Sequence, residues 1–367
     1  MNRGPAAEID LSALRHNVGI IRKIVGKVPV IPVVKADAYG HGAVEVSRTL
    51  VAAGVPLLAV AFSGEAKRLR EAGINAGILV LFDTFDVEEY FLYDLTPVIH
   101  DLSTAASLSK EALSRGVRIP VHVKVDTGMG RIGLSHQSAV SDVGEIAGMG
   151  GIEVQGLMSH FSEADLTDKT YAKLQIGMFS RVRQGVSEKL GRPVMAHMAN
   201  SAAIISMEEA LFDAVRPGLI LYGYSPFNDD RSLLPLMKVS TRILLIRNLP
   251  AGTPVSYGRT FTTGRQSRIA VVPVGYADGF SRFFSNNSEM LVRGRRVPVT
   301  GRVCMDLTMI DVTDVDGVSA GDEVVILGRQ GDDVITAVEL ASKINTIPYD
   351  ILTSLGSRAR REYVNAG

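Results

Sequence analysis

The chain has 367 residues, of which 46% are hydrophobic and 21% charged. At roughly 150 residues per domain this implies two domains with a large buried core, and it excludes long disorder. Lysine plus arginine number 39 and aspartate plus glutamate number 39, a formal net charge of zero, so the broad positive footprint of a nucleic-acid binder is absent.

The single cysteine, Cys304, supplies neither an internal disulfide nor a cysteine-based metal site, and no metal is expected. The opening, Met1 to Glu8, lacks the apolar core of a signal peptide. No run approaches the ~20 apolar residues that cross a bilayer. The expectation is a soluble, cytoplasmic protein without membrane or nucleic-acid partners.

In chain order, short β-branched apolar runs of the buried-strand type fall at Val30–Lys35, Pro56–Val60, Gly77–Phe82, Pro97–His100, Ile119–Val125, Val154–Ser159, Val194–Ala199 and Ala214–Tyr222. Helical spacing lies between them, as in Ala43–Ala53, Ser103–Arg115 and Lys169–Leu190. Eight such units predict an α/β fold, an N-terminal (β/α)8 TIM barrel. The same alternation also fits a doubly wound open sheet. After about Pro235 the texture changes to short strands separated by Gly, Pro, Asn and Asp: Val239–Ile246, Arg268–Val274, Met290–Val292, Arg296–Val299, Leu307–Val312 and Asp322–Leu327. One late helix is predicted near Ala337, with Val338, Leu340 and Ile344 on its apolar face. The expected division is residues 1–234, the barrel, and residues 235–367, a mainly β domain.

Reacting groups of a barrel sit at the C-terminal ends of its strands. Lys35 ends the first apolar run, in Val33-Val34-Lys35-Ala36-Asp37-Ala38-Tyr39-Gly40-His41-Gly42. A desolvated lysine there suits Schiff-base chemistry with an aldehyde cofactor; a lysine reaching from a strand end to water is the competing reading.

The ten residues together resemble the pyridoxal phosphate attachment segment of alanine racemases. Further segments resemble that family's signatures in the family's order: Lys124-Val125-Asp126-Thr127-Gly128-Met129-Gly130-Arg131-Ile132-Gly133, Ser159-His160-Phe161, His197 with Asn200-Ser201, Arg216-Pro217-Gly218, Ser256-Tyr257-Gly258, Gly275-Tyr276-Ala277-Asp278-Gly279 and Cys304-Met305-Asp306. They span nearly the whole chain. The family's barrel plus C-terminal β domain agrees with the division read from texture.

The resemblance implies that Lys35 holds pyridoxal 5'-phosphate covalently. Tyr39, Ser201, backbone N–H groups near Gly218 and Leu219, and Tyr349 form the phosphate cradle. A glycine at 218 lets backbone donors approach an anion, although a turn glycine after Pro217 reads equally well. His160 is expected near the ring beside Asn200 and His197, and Arg131 on the phenolic oxygen. Arg216 is implied to face the pyridine nitrogen; the alternative is a surface arginine paired with Asp213. A guanidinium keeps its proton, so the ring nitrogen stays largely unprotonated and proton return to the α-carbon is favoured.

Racemisation needs a proton acceptor on one face of a planar intermediate and a donor on the other. Lys35 serves one face, and Tyr257 matches the family's second base, contributed by the partner subunit of a homodimer. Without the resemblance Tyr257 is a tyrosine in a turn. Met305 and Asp306 are implied to approach the substrate from the partner, Met305 by its backbone, and Tyr276 to narrow the entrance. Lys124 matches a lysine carbamylated in some members; an unmodified lysine is the alternative. Leu307 departs from the polar residue common after Cys-Met-Asp.

The implied activity is interconversion of L-alanine and D-alanine, supplying D-alanine for peptidoglycan. Another amino-acid racemase, a related decarboxylase, and a non-catalytic pyridoxal phosphate carrier are the competing readings. The β domain bearing Tyr257 argues against the last.

Overall fold

The structure, a computed structural model, describes residues 4–83, 85–227, 229 and 231–365. Its backbone contacts divide into two units, one of Leu14–Ala38 and Ala43–Leu234, the other of residues 4–13, Tyr39–Gly42 and residues 235–365. The opening strand β1 (Ala6–Asp10) belongs to the second unit.

The first unit carries β2 (Leu57–Val60), β3 (Gly77–Val80), β4 (Thr96–Ile99), β5 (Ile119–Asp126), β6 (Leu134–Ser135), β7 (Ile152–Met158) and β8 (Met195–His197). All are parallel, in the order β2-β3-β4-β5-β7-β8, with β6 a short partner of β5. An open sheet would leave β2 and β8 as edges, yet both are paired. Val33 bridges to Ala59 of β2, Ala214 to His197 of β8, and Val30 to Val215 between them. Ile31 and Val33 donate to the carbonyls of Val215 and Pro217 at 2.8 and 2.9 Å, closing the ring. Eight parallel segments among the described residues thus form the expected (β/α)8 barrel. The strands read as apolar runs because helices cover one face and the barrel core the other: Leu58, Val60, Ile78, Val98 and Val123 are fully buried.

Local signals mark the connections. The helix Leu102–Arg115 begins where the Asp101 carboxylate accepts from the Thr104 N–H at 2.7 Å, and it ends at Gly116, φ 65°. The last predicted run, Ala214–Tyr222, is divided. Pro217 has no N–H to continue a ladder, and Leu219–Tyr222 turns into a 3-10 helix.

The second unit adds β9 (Met237–Arg242), β10 (Leu245–Leu249), β11 (Pro254–Val255), β12 (Phe261–Thr262), β13 (Ser267–Val272), β14 (Glu289–Val292), β15 (Arg295–Pro298), β16 (Thr308–Asp311), β17 (Glu323–Gln330), β18 (Asp333–Ile335) and β19 (Arg360–Val364). One sheet runs β15-β14-β17-β9-β1-β19 with β18 on β17, a second runs β10-β13-β16, and β11 pairs with β12. The predicted strand Val239–Ile246 breaks because the chain changes sheets there. Ile243 donates to the Asp322 carbonyl beside β17, while Leu244 donates to Val271 of β13. The late helix is Ala337–Lys343, capped by the Thr336 hydroxyl, which accepts from the Glu339 N–H at 3.0 Å. Its buried face is Ala337, Leu340 and Ala341; Val338, expected inside, is 50% exposed. A further helix, Pro348–Leu355, follows. No helix among the described residues is long and apolar enough to cross a membrane, and no cluster of three His, Cys, Asp or Glu could hold a metal.

Two of the motifs pack as one. Tyr276 and Ala277 donate to the carbonyls of Cys304 and Met305 at 3.1 and 3.0 Å, and the Gly275 N–H donates to the Asp278 carboxylate at 3.0 Å. A Cβ on Gly275 would lie 2.3 Å from both the Cys304 and the Met305 carbonyl oxygens. Backbone crowds this position from two residues, so Gly275→Ala is expected to cost about 3 kcal/mol in chemical denaturation. Gly264→Ala, where nothing lies within 4 Å of an added Cβ, is the control, expected within about 0.5 kcal/mol of native.

Candidate active site

Lys35 ends the first barrel segment, and the chain then does something L-residues resist. Ala36, Asp37, Ala38 and Tyr39 have φ between 50° and 54°, a left-handed turn without glycine. Side chains and backbone pin it in place. The Ala36 N–H donates to Glu65 Oε1 at 2.6 Å, the Ala43 N–H to Asp37 Oδ1 at 2.7 Å, and the Ala38 N–H to the Val34 carbonyl at 2.9 Å. Glu65 also accepts from the Ala61 N–H at 2.7 Å, joining the ends of two barrel segments.

Lys35 shares an aromatic neighbour with two other cations. Its Nζ lies 5.3 Å from the centre of the Phe82 ring, Lys124 Nζ 5.9 Å, and Arg131 Cζ 5.5 Å. Phe82 follows β3, Lys124 lies in β5, and Arg131 lies in the loop after it. That loop is shaped by Asp126, whose carboxylate accepts from the N–H groups of Gly128, Met129 and Gly130 at 2.8 to 2.9 Å. Burial pushes the Asp126 carboxyl up, but these three donors outweigh it and hold the group low. Burial lowers the Lys35 amine, Arg131 lowers it further, and Glu65 opposes both. Burial, then Arg216 and Arg131, brings Lys124 down to about 7. No carboxylate among the described residues pairs with either lysine.

Arg216 is 3% exposed and also has no carboxylate partner among the described residues. It is not the surface residue paired with Asp213; that aspartate holds Arg183 at 2.8 Å. Nη1 donates to Nδ1 and to the carbonyl of His197 at 2.6 and 2.8 Å. Nη2 donates to the carbonyls of Ser159 and Met198 at 2.6 and 3.2 Å and approaches His160 Nδ1 at 3.4 Å. The Nε–H has no partner among the described residues. Burial brings Arg216 to about 9, so it stays protonated at neutral pH. Burial and the Arg216 charge hold His160 and His197 well below the ordinary histidine value. Beyond His197, Nε2 meets His122 Nδ1 at 2.7 Å.

Nearby, Asn200 caps the helix Ser201–Ser206 by accepting from the Ala203 N–H at 3.0 Å. The Ser201 hydroxyl accepts from the N–H groups of Gly218 and Ile220 at 3.0 and 3.4 Å. Leu219, expected as a donor position, starts the 3-10 turn between them.

In the second unit, the rings of Tyr39 and Tyr349 meet at 5.7 Å, and burial raises the Tyr39 phenol above its ordinary range. Tyr257 sits on a one-turn 3-10 helix behind Ser256, whose hydroxyl donates to the Arg302 carbonyl at 2.6 Å. Tyr257 is 69% exposed, Met305 54% and Tyr276 43%. Arg358 approaches Asp278 at 3.6 Å and Asp306 at 3.8 Å. The Cys304 N–H donates to the Leu307 carbonyl at 2.9 Å, closing the segment on itself.

The first unit thus brings together Lys35, Lys124 and Arg131 around Phe82, then His160, His197 and Arg216, then Asn200, Ser201 and Gly218. A desolvated lysine can add to a carbonyl, backbone N–H groups beside a hydroxyl suit an anion, and the free Nε–H suits a neutral acceptor. Glu65, Phe82 and His122 were not among the expected site residues. His122 stands two residues before Lys124 on a strand, hence on the same face, and Phe82 at a strand's C-terminal end; both signals were present.

Residues 9–226 match the family model described as alanine racemase, N-terminal domain, and residues 236–363 that described as alanine racemase, C-terminal domain. A protein named alanine racemase from Thermodesulfovibrio yellowstonii is 50% identical, covering 99% of this chain and 99% of its own. The solved structure of alanine racemase from Bacillus anthracis with bound L-Ala-P aligns with a TM-score of 0.92 at 34% identity, covering 100% of this chain and 97% of that one. Alanine racemase from Bartonella henselae, solved with covalently bound pyridoxal phosphate, aligns with a TM-score of 0.88 at 30% identity, covering 98% and 99%. The chain belongs to the alanine racemase family of isomerases.

Proposed function

We propose that this racemase interconverts L-alanine and D-alanine with pyridoxal 5'-phosphate, using Lys35 and Tyr257 of the partner subunit as its two bases. The covalently bound pyridoxal phosphate of the Bartonella henselae relative and the L-Ala-P of the Bacillus anthracis one support this reading. The observation that carries it is Arg216, a buried cation with no carboxylate partner and one N–H left over among the described residues, a donor set that fits a pyridine nitrogen.

When bound, pyridoxal phosphate supplies the electron sink that acidifies the α-proton of alanine. Lys35, its amine lowered by burial, holds the group and moves a proton at the α-carbon on one face. Tyr257 Oη of the partner serves the other face. Arg216 keeps its own proton and withholds it from the ring nitrogen, which favours return of the proton to the α-carbon. Tyr39, Tyr349, Ser201 and the N–H groups near Gly218 and Leu219 hold the phosphate. His160 and Asn200 border the ring, with His197 behind.

Arg131 holds the phenolic oxygen. Lys124, free amine for much of its time at a pKa of about 7, takes up carbon dioxide: an Nζ–C bond forms, a proton leaves, and the carbamate steadies Arg131. Met305 meets the substrate carboxylate by its backbone, with Asp306 and Tyr276 at the entrance. The exposure of Tyr257, Met305 and Tyr276 supports a homodimer in which each β domain completes the partner's site. The product D-alanine supplies peptidoglycan, and the single cysteine, Cys304, suits a reducing cytoplasm.

Chiral separation of alanine after incubating purified protein, cofactor and L-alanine in deuterated water tests the activity. Lys35→Ala is expected to lose nearly all turnover and the visible absorbance of the lysine-bound cofactor; borohydride labelling at another lysine contradicts the assignment. Tyr257→Ala is expected to lose racemisation in both directions while keeping that absorbance. Mixing it with Lys35→Ala should restore about a quarter of native activity, because half of randomly reassociated dimers carry one intact site of two. A mixture that exchanges subunits and stays inactive would place Tyr257 outside a shared site.

A further inference from the structure

Beyond Arg216 and His197 lies a side chain that this chemistry does not use. Nη1 of Arg216 is 2.6 Å from Nδ1 of His197, and Nε2 of His197 is 2.7 Å from Nδ1 of His122. A guanidinium only donates. Nδ1 of His197 therefore presents its lone pair, which puts that ring's proton on Nε2. The same N–H faces His122, so Nδ1 of His122 accepts and His122 carries its proton on Nε2. One proton order runs through the three residues, Arg216 to His197 to His122. Burial and the Arg216 charge keep both imidazoles neutral, His122 at about 4 and His197 well below its ordinary value.

The strands accommodate this ring. His122 pairs with Gly156 across β5 and β7, where the register shifts between Val121 and His122. A Cβ on Gly156 would lie 2.5 Å from His122 Nδ1. Glycine there leaves the imidazole the space from which it reaches His197.

We propose that His122 is a positioning residue for racemisation: its Nδ1 lone pair fixes the tautomer of His197, which keeps Nη1 of Arg216 engaged and leaves the Nε–H for a ring acceptor. Without that lone pair, His197 is free to carry its proton on Nδ1, where it opposes the N–H of Arg216 and turns the guanidinium. The kinetic consequence rests on the pyridoxal phosphate reading; the proton order does not.

Nitrogen-15 NMR of the native protein labelled at histidine reads the order directly. Both His122 and His197 are expected as neutral Nε2–H tautomers at pH 7, and a proton on Nδ1 of His197 overturns the proposal. His122→Leu removes the acceptor, and His122→Asn keeps one near the position of Nδ1. In the cofactor-loaded leucine variant, kcat is expected to fall about 10-fold to 100-fold with KM for alanine within about threefold of native. Pyruvate formed per racemisation should rise, and asparagine should recover most of the loss. A leucine variant with native kcat, or an asparagine variant equally impaired, overturns the proposal. If the leucine variant does not fold, the native tautomers and the asparagine variant decide. A native protein with the stated tautomers but no racemisation contradicts the functional reading and leaves the proton order standing.

Discussion

The Arg216 guanidinium carries a full charge in the barrel interior without a counter-ion among the described residues, and it is stabilised by oriented dipoles instead. Removing such a charge from water is expensive unless hydrogen bonds replace the lost hydration. Here the carbonyls of Ser159, His197 and Met198 do so, from the ends of β7 and β8. The segment that bears Arg216 is also the one whose pairing with Val30 and His197 closes the barrel. Barrel closure and the buried charge therefore share one segment. The charge also propagates outward, since it lowers His122, His160, His197 and Lys124 together. A carboxylate paired with Arg216 would screen that charge and raise the proton affinity of all four.

Around Lys35 the chain accepts local cost for placement. Four successive left-handed residues cost roughly 1–2 kcal/mol each, and the bonds from Glu65 and Asp37 offset part of it. Alanine at two of the four positions keeps side-chain crowding low. Phe82 presents its ring to three basic groups, Lys35, Lys124 and Arg131, a cation–π arrangement that tempers the repulsion among those that are charged. Strain, desolvation and neighbouring basic groups converge on Lys35.

Much of this was legible in the residues. All eight barrel segments overlap the predicted runs, although β4 and β7 begin before theirs and β5 ends after its own, because a parallel strand covered on both faces leaves a continuous apolar signature. The charged motifs were legible as well, Lys124 to Gly133 in particular, where Asp126 ties the loop and glycines permit it. Other features depend on partners distant in sequence. Nothing local shows that Ile243 and Leu244 bond to different sheets, or that Val338 turns outward while Ala337 packs inward. Glu65 resembles any acidic residue in a first helical turn until Ala36 is seen to donate to it. Oligomeric state is a matter of assembly, which alternation and spacing do not encode.

The position of β1 has a consequence for how the protein is made. Ala6–Asp10 leaves the ribosome well before its partners, the antiparallel one beginning at Met237 and the parallel one at Arg360. At 5–20 residues per second the strand waits roughly 10 to 50 s for the first partner alone. The second is made later still. Throughout that interval an unpaired strand with Ala7 and Ile9 destined for the core stands ahead of a barrel free to fold behind it. The nascent chain thus carries an open edge available to chaperones or to a neighbouring copy, and the late strand Arg360–Val364 is the one that seals it.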